Sequence, residues 1–421
     1  MRKRLSLVFS VLLVAVLLGA LGVSAGAAKQ ETIKFSVWDY SMSPEYKAAI
    51  DAFQKANPDI KVDVIEIAAK DYPDKMTVML AAGEDVDVFA VKDFASYSNY
   101  LSRNYLYPLD SFIKKAKVDL KPYGGALNYV KSSGKLMVFP YRSDIYVLYY
   151  NKDIFDKAKV AYPTNDMTWA QFRETAKKLT SGEGNDKIWG AYFHSWRSQI
   201  QCPILLTTKT TLIDGKYTFL KPAYQLALAM QNEDKSIMSY AEMKTSNANY
   251  RGLFESGKVG MSYMGTWFLG SLISDKKAGK HNVNWGIVKA PHWPANKAGS
   301  TITGITTMAI NAKSSKKDAA WKFINFMGGE QGAKIFAGYG VFPALRTSEV
   351  LDVYTSADGF PAGGKDALVT DKTTVEIPPS PYANAIDKTL SEEHELIMTG
   401  QKTLDQGLKD MAKRVKEVKE D

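Results

Sequence analysis

The sequence is poor in the residues that carry covalent and metal chemistry. Its 421 residues include one cysteine, Cys202, so no disulfide can form within the chain. The four histidines, His194, His281, His292 and His394, share no close metal-ligand spacing, and no Gly-x-Ser-x-Gly nucleophile elbow is present. We therefore expect no metal or other cofactor, and the sequence favours neither a metalloenzyme nor a nucleophilic enzyme.

Long hydrophobic runs are also scarce, and the one that occurs lies near the first residue. Positive residues 2–4 precede an apolar run over 5–21, and Ala25-Gly26-Ala27 follows with the spacing that a signal peptidase cleaves. This predicts a signal peptide over 1–27. A retained membrane anchor is the alternative, and the charge of Lys29 directly after the run argues against it. No cysteine stands near the cleavage point to carry a lipid, so we expect a periplasmic or secreted protein.

Neither sign of charge dominates the chain. Lysine and arginine total 54 and aspartate and glutamate 45, and the two signs are interleaved, which disfavours nucleic acid as a partner. Aromatic residues are plentiful, with 23 tyrosines, 18 phenylalanines and 8 tryptophans. Rings beyond those needed for a core suit a ligand with flat, weakly apolar faces ringed by hydroxyls, as in a sugar. The length fits two lobes of ordinary domain size.

Strand and helix patterns alternate after the predicted signal peptide. Apolar residues alternate up to Trp38, further strands are expected over 60–67 and 86–91, and helical spacing lies between them. Such alternation predicts a parallel sheet, whose ligand crevice lies beyond the carboxyl ends of the strands. Trp38, Asp39, Tyr40 and Asp93 should therefore lie at the mouth of a crevice.

Later segments extend this pattern. Strands are expected over 145–150 and 302–310, and helices over 169–179 and from Ser315 to Gly328. Apolar residues recur at spacings of four and three over 404–418, which predicts one amphipathic helix packed on a lobe, with a coiled coil as the alternative.

Several landmarks, taken together and in order, resemble the extracellular solute-binding protein family 1, the sugar-receptor group that includes maltose-binding protein. The landmarks are the strand ending in Trp38, Ala49–Phe53 with Asn57–Val62, Met79–Gly83 with Asp87–Phe89, Pro140 with Tyr149–Asp153, Tyr162-Pro163 with Thr168-Trp169, Gly257–Val259 with Gly265–Trp267, and Ala319–Phe323.

The resemblance implies an α/β, two-lobe periplasmic binding protein fold of type II, with a hinge of three segments and the ligand between the lobes. The expected first lobe is 28–141 with 303–342, and the second is 142–302 with 343–421. The expected crossings are 141–144, 301–304 and 341–345. The implied function is that of a monomeric receptor that delivers a carbohydrate to the permease of an ATP-driven importer, without catalysis.

The resemblance also implies ligand contacts. Trp267 matches a stacking tryptophan, with a core position as the alternative. Asp144 matches a carboxylate that accepts sugar hydroxyls, although an ion pair with Arg142 explains it equally well. Asp93 matches another carboxylate position, with a helix cap as the alternative. Further candidates are Trp196, Tyr339, Arg346 and Tyr382, whereas His194 ranks low because lone histidines are more often structural. The sequence departs from the family pattern over 201–211, which leaves the second lobe's pocket wall in doubt.

Three alternative functions stay open. A receptor of the same fold could bind a polyamine or ferric iron, and Arg142 and Arg346 argue against the polyamine. A secreted glycoside hydrolase would use two of Asp39, Asp93 and Asp144 across a cleft, although no surroundings mark an acid and a nucleophile.

Overall fold

The chain begins with a parallel sheet whose strands bury alternate apolar residues. The computed structural model describes residues 30–123 and 125–420; the predicted signal peptide lies outside this part. Ile33, Phe35 and Val37 are fully buried, as the alternation predicts. The elements are β1 (Glu31–Trp38), α1 (Pro44–Ala56), β2 (Ile60–Ile67), α2 (Tyr72–Ala82), β3 (Val88–Val91), α3 (Phe94–Ser102), α4 (Asp110–Ala116), β4 (Lys131–Ser132) and β5 (Lys135–Leu136).

A second α/β unit follows. A long strand enters it, and helices cover a sheet in which β6 lies between β8 and β9. The elements are β6 (Phe139–Asn151), α5 (Lys152–Ala158), α6 (Trp169–Leu179), β7 (Trp189–Tyr192), α7 (Ser198–Gln201), α8 (Lys221–Leu228), α9 (Tyr240–Thr245), α10 (Tyr250–Glu255), β8 (Val259–Gly265), α11 (Trp267–Lys277) and β9 (Trp285–Lys289). Thr168 caps α6 in a reciprocal capping box with Gln171.

The chain then returns to the first lobe and ends on the second. The elements are β10 (Thr301–Ile310), α12 (Lys317–Gly328), α13 (Glu330–Gly338), α14 (Ser348–Thr355), β11 (Thr373–Val375), α15 (Ala383–Met398) and α16 (Leu404–Glu420). Leu408, Met411 and Val415 are buried, and α16 packs along α15. The predicted amphipathic helix is therefore packed on a lobe. Among the described residues, no helix is long and apolar enough to span a membrane.

Three chain segments lie side by side between the lobes. The main strand path runs β2–β1–β3–β10–β6–β8–β7, and β6 and β10 pair antiparallel with Asp144 opposite Gly304. The third segment joins them, since the Ser143 N–H donates to the Phe342 carbonyl (3.2 Å) and the Ala344 N–H to the Tyr141 carbonyl (3.2 Å). The predicted two-lobe α/β fold with a three-segment hinge is confirmed. The exact residue boundaries of the lobes stay a prediction.

Candidate functional site: the cleft between the lobes

The first lobe presents charged groups where its parallel strands end. The Lys92 ammonium lies 5.7 Å from the centroid of the Trp38 ring, within range of a cation–π contact. Lys92 donates to the Ala69 carbonyl (2.9 Å), and the Asp39 carboxylate accepts from the Ala69 N–H (2.9 Å). Asp39 adopts a left-handed backbone, with φ of 47°. The edge thus carries an ammonium beside an aromatic ring, and the backbone of Ala69 fixes both this ammonium and the Asp39 carboxylate.

Asp93 and Tyr40 border this edge. Asp93 is exposed and caps α3, because its carboxylate accepts from the Ser96 N–H (2.7 Å). This is the helix-cap role that the sequence left open, and a ligand contact for Asp93 stays a prediction. Tyr40 is half-buried and opens a short 3₁₀ turn that ends at Met42, which is 80% exposed. The turn therefore exposes an apolar side chain on the first lobe.

Burial alters the ionisation of groups on this side. The pKa of Lys92 lies below its ordinary value, chiefly because of burial; Asp93 and Asp39 oppose the shift, and Arg142 adds to it. Burial raises the pKa of Glu45, and its own backbone and Arg142 oppose that shift. Arg142, on the hinge strand β6, therefore acts electrostatically on the first lobe's wall.

The floor of the cleft is an ion pair on β6. Arg142 Nε donates to Asp144 Oδ2 (2.5 Å), and the Thr266 hydroxyl donates to Asp144 Oδ1 (2.9 Å). The Asp144 side chain is 7% exposed. The ion pair that the sequence held as the alternative for Asp144 is therefore present. A hydroxyl-accepting role for Asp144 stays a prediction.

Arg346 lies beside this floor, just after the third hinge segment. Its guanidinium is 5.0 Å from the centroid of the Phe342 ring, and Nη2 donates to the Ser143 hydroxyl (3.1 Å). Its Nε is buried and has no hydrogen-bond partner among the described residues. Burial lowers the pKa of Arg346, and Asp144 opposes the shift. A buried guanidinium with one donor unpaired among the described residues therefore lies next to the hinge.

Trp267 is held at the start of α11 by the strand before it. A Cβ on Gly265 would lie 2.0 Å from the Trp267 ring, so the ring rests directly over that glycine. Tyr146 contacts the Trp267 ring edge-on at 5.2 Å. The Thr266 N–H donates to the Ile145 carbonyl (2.9 Å), which fixes this turn to β6. Trp267 and Asp144 are thus held in one unit.

Further rings extend the surface that Trp267 begins. Trp196 is 39% exposed, and its ring centroid lies 6.0 Å from Trp267, 5.9 Å from Tyr250 and 4.5 Å from His194. Burial lowers the pKa of His194 to about 4, so the imidazole is neutral at pH 7. We call Trp267, Trp196, Tyr250 and His194 the aromatic wall.

Tyr339 and Tyr382 are not part of the aromatic wall. Tyr339 is 46% exposed and lies two residues before Val341, where the third hinge segment begins. Tyr382 is 39% exposed and follows Ser380, whose N–H donates to the Ser98 hydroxyl on α3 of the first lobe (3.1 Å). The ligand contacts of Tyr339 and Tyr382 stay predictions.

The sequence interpretation missed several groups next to the predicted ones. Tyr250 was not singled out, although it contacts both Trp196 and His194. Behind Trp267, the Tyr146 hydroxyl donates to Glu376 (3.1 Å), and burial raises the pKa of that carboxyl while Arg197 opposes the shift. The available signal was an acid between two apolar residues, Val375 and Ile377, directly after β11.

The chemistry of this cleft is that of ligand binding. Aromatic rings on one side can stack on flat faces, and carboxylate, ammonium and guanidinium groups on the other side and the floor can bind hydroxyls. Among the described residues, no cluster of three or more side chains is arranged to hold a metal ion. The fold and the cleft together define a two-lobe solute-binding protein.

The chain belongs to the bacterial extracellular solute-binding protein family, whose model matches residues 41–334. The family consists of substrate-binding proteins that act outside the cytoplasm. A crystal structure of a sugar transporter from Rhizobium etli, in an open conformation, is 44% identical, with a TM-score of 0.82 over 91% of this chain and 99% of that one.

Two further relatives match over most of their length. The melibiose/raffinose/stachyose-binding protein MelE of Bacillus subtilis is 25% identical over 369 residues, 83% of each chain. The sn-glycerol-3-phosphate-binding periplasmic protein UgpB of Pectobacterium atrosepticum is 24% identical over 429 residues, covering 93% of this chain and 92% of its own.

Proposed function

We propose that this protein is the extracytoplasmic receptor of an ATP-driven importer, and that it binds a mono- or oligosaccharide between its lobes. We call Trp38, Asp39 and Lys92 the charged edge. The carrying observation is that Arg142, paired with Asp144 on the hinge strand, acts electrostatically both on Lys92 of the charged edge and on Tyr250 of the aromatic wall. Stacking on one sugar face and hydrogen bonding around its rim need both kinds of surface.

Two of the three relatives support a carbohydrate, whereas UgpB binds sn-glycerol 3-phosphate. The Rhizobium etli protein is a sugar transporter and MelE binds melibiose, raffinose and stachyose. We further propose that the signal peptide is cleaved near Ala28, that the monomer diffuses freely without a lipid anchor, and that closure over the sugar presents both lobes to a permease. The protein catalyses no reaction in this scheme.

A thermal-shift screen tests the proposal. The purified protein is heated with maltose, melibiose, raffinose, galactose and arabinose, and with sn-glycerol 3-phosphate, spermidine and ferric citrate as the competing classes. A sugar at one hundred times its Kd should stabilise the fold by about 2.7 kcal/mol. A rise in Tm with a sugar that is recovered intact supports the proposal. Stabilisation by a competing class alone, or cleavage of the sugar, contradicts it.

A further inference from the structure

Two glycines from different lobes meet backbone to backbone beside the hinge. Gly270 lies one turn after Trp267 on α11, and Gly340 follows Tyr339. A Cβ on Gly270 would lie 2.8 Å from the Gly340 carbonyl oxygen and 3.3 Å from that of Tyr339. A Cβ on Gly340 would lie 2.8 Å from the Gly270 Cα. Ordinary contacts of a Cβ begin at 3.4 Å, and backbone atoms cannot rotate away.

The contact joins the two lobes. The helix α13, which ends at Gly338, packs on the first lobe, where Phe336 meets Tyr46 at 5.6 Å. The helix α11 packs on the second lobe, where Phe268 meets Tyr149 at 4.9 Å. The third hinge segment begins directly after Gly340. The two glycines therefore touch at the point where a change in the lobe angle would move them.

We propose that Gly270 and Gly340 are positioning residues for lobe closure, and that their bare backbone contact sets the angle between the lobes. The contact lies beside the aromatic wall, since Trp267 is one turn before Gly270 on α11. A side chain here acts as a wedge between the lobes. A shift of a few tenths of an ångström beside the hinge then becomes a larger separation at the ends of the lobes that lie farthest from the hinge. The consequence for ligand affinity rests on the proposed function; the effect on the angle does not.

The experiment compares two wedge variants with matched controls. Gly270→Ala inserts a methyl from a helix, where alanine is otherwise favoured over glycine. Gly340→Asn inserts a Cβ from the other side, and asparagine tolerates the left-handed φ of 77°. Gly338→Ala is the control for the first, since a Cβ there meets nothing within 4 Å. Gly363→Asn is the control for the second, since Gly363 has a similar φ of 76° and a Cβ there meets nothing within 4 Å.

The readout is the distance between nitroxide labels on Lys55→Cys and Lys178→Cys, measured by pulsed electron resonance without ligand. Both lysines are exposed, one on each lobe, whereas Cys202 is buried and its thiol pKa is raised by burial, so it escapes labelling. Both wedge variants should shift the distance distribution away from that of wild type. The shift should be opposite to the one that a Tm-raising sugar causes. Both controls should match wild type. Wedge variants that match wild type, or that shift toward the sugar-bound distances, overturn the inference.

A second arm measures affinity for maltose, melibiose and raffinose. For any of these that binds wild type, the wedge variants should raise Kd by about tenfold, because fewer molecules occupy the closed form. If neither these sugars nor galactose and arabinose bind wild type, the proposed carbohydrate function fails while the distances still decide the role of the glycines. The closed reference is then the most compact population of the wild-type distribution. If one wedge variant does not fold, the shift in distance of the other is compared with that of the control matched to the folded variant.

Discussion

The two sides of the cleft are built from different chemistry. The first lobe's charged edge carries Lys92 and Asp39 with one ring, Trp38, whereas the second lobe's wall is a run of aromatic rings around Trp267. The charged edge forms where parallel strands end, so its position follows from topology. The aromatic wall comes from turns and helix starts that are distant in sequence, so its position follows from packing.

This difference teaches how binding and closure are divided. A ring offers a large face with little rotamer freedom, so the aromatic wall can hold a sugar face while the lobes are apart. Charged groups discriminate only when they reach the hydroxyls, which requires closure, because a buried polar group without a partner costs about 1–3 kcal/mol. The aromatic wall should therefore supply most of the affinity and the charged edge most of the specificity.

The largest effect on affinity is expected from Trp267→Ala. Removing the ring should weaken binding of a Tm-raising sugar by about 2–3 kcal/mol, a roughly 30- to 150-fold rise in Kd, with the fold intact. Isothermal titration calorimetry and thermal unfolding measure the two quantities. Tyr162→Ala is the control, since that ring is 41% exposed, similar to Trp196, but packs on Tyr150 away from the cleft. Unchanged affinity in Trp267→Ala would remove Trp267 from the site.

A second prediction concerns how pH affects stability, and it applies to the second lobe because all four histidines lie in that predicted lobe. Burial lowers the pKa of His194 to about 4 and that of His394 to about 3, with Arg197 contributing to the latter. The unfolded chain binds protons near pH 6.5, so the stability due to neutral histidine is present above that pH and is lost on acidification toward pH 4. Lowering the pH from 7 to 5 should therefore reduce the free energy of unfolding by about 2 kcal/mol for each of these two histidines.

The test is urea unfolding of wild type and His394→Gln at pH 7 and pH 5. The variant should lose about 2 kcal/mol less than wild type over this interval, because it lacks one buried histidine. Comparing the two proteins removes the opposite contribution of Glu255, whose pKa is raised to about 7 by burial and by Asp275. Equal losses in the two proteins would mean that His394 carries no such penalty.

The charged edge was predictable from the sequence, and much of the aromatic wall was not. Alternation at Ile33, Phe35 and Val37 predicted β1, and parallel topology then placed its last residue, Trp38, at the same sheet edge as Asp93, which follows β3. The third strand begins at Val88, two residues later than predicted, because the Asp87 carboxylate accepts the Lys34 N–H (2.9 Å) where a strand partner would.

The positions of the remaining site residues depend on tertiary packing, which the sequence pattern does not predict. Tyr250 follows a loop with no strong periodicity, and it reaches Trp196, 54 positions earlier, only through the fold. Glu376 lies still farther along the chain and meets Tyr146 across the second lobe. Trp267 was predicted from its family motif, and the reason for the motif is spatial, since its ring occupies the space above Gly265.

A third prediction breaks the aromatic wall without removing a ring. Gly265→Ala places a methyl 2.0 Å from the Trp267 ring, which must move aside. We expect affinity for a Tm-raising sugar to fall by about 1–2 kcal/mol, less than for Trp267→Ala, because the displaced ring still covers part of the ligand. Calorimetry of the single and double variants measures their coupling. Adding Gly265→Ala to Trp267→Ala should change little, and Gly252→Ala, which has open space, is the control.

The smallest effect is expected from Asp39→Asn, which tests the charged edge alone. Asparagine keeps an oxygen for the Ala69 N–H and tolerates the left-handed backbone, so stability should hardly change. Only the charge that faces Lys92 and the ligand hydroxyls is lost, and affinity should fall by about 1 kcal/mol, roughly fivefold. Asp51→Asn, which removes an exposed carboxylate paired with Lys47, should leave affinity unchanged.

The comparison between sugars is the sharper readout. If the charged edge supplies specificity, Asp39→Asn should narrow the ratio of Kd values between the best-bound and the next sugar, whereas Trp267→Ala should weaken binding of both sugars alike. A ratio that Asp39→Asn leaves intact would assign specificity to the floor pair Arg142 and Asp144 instead.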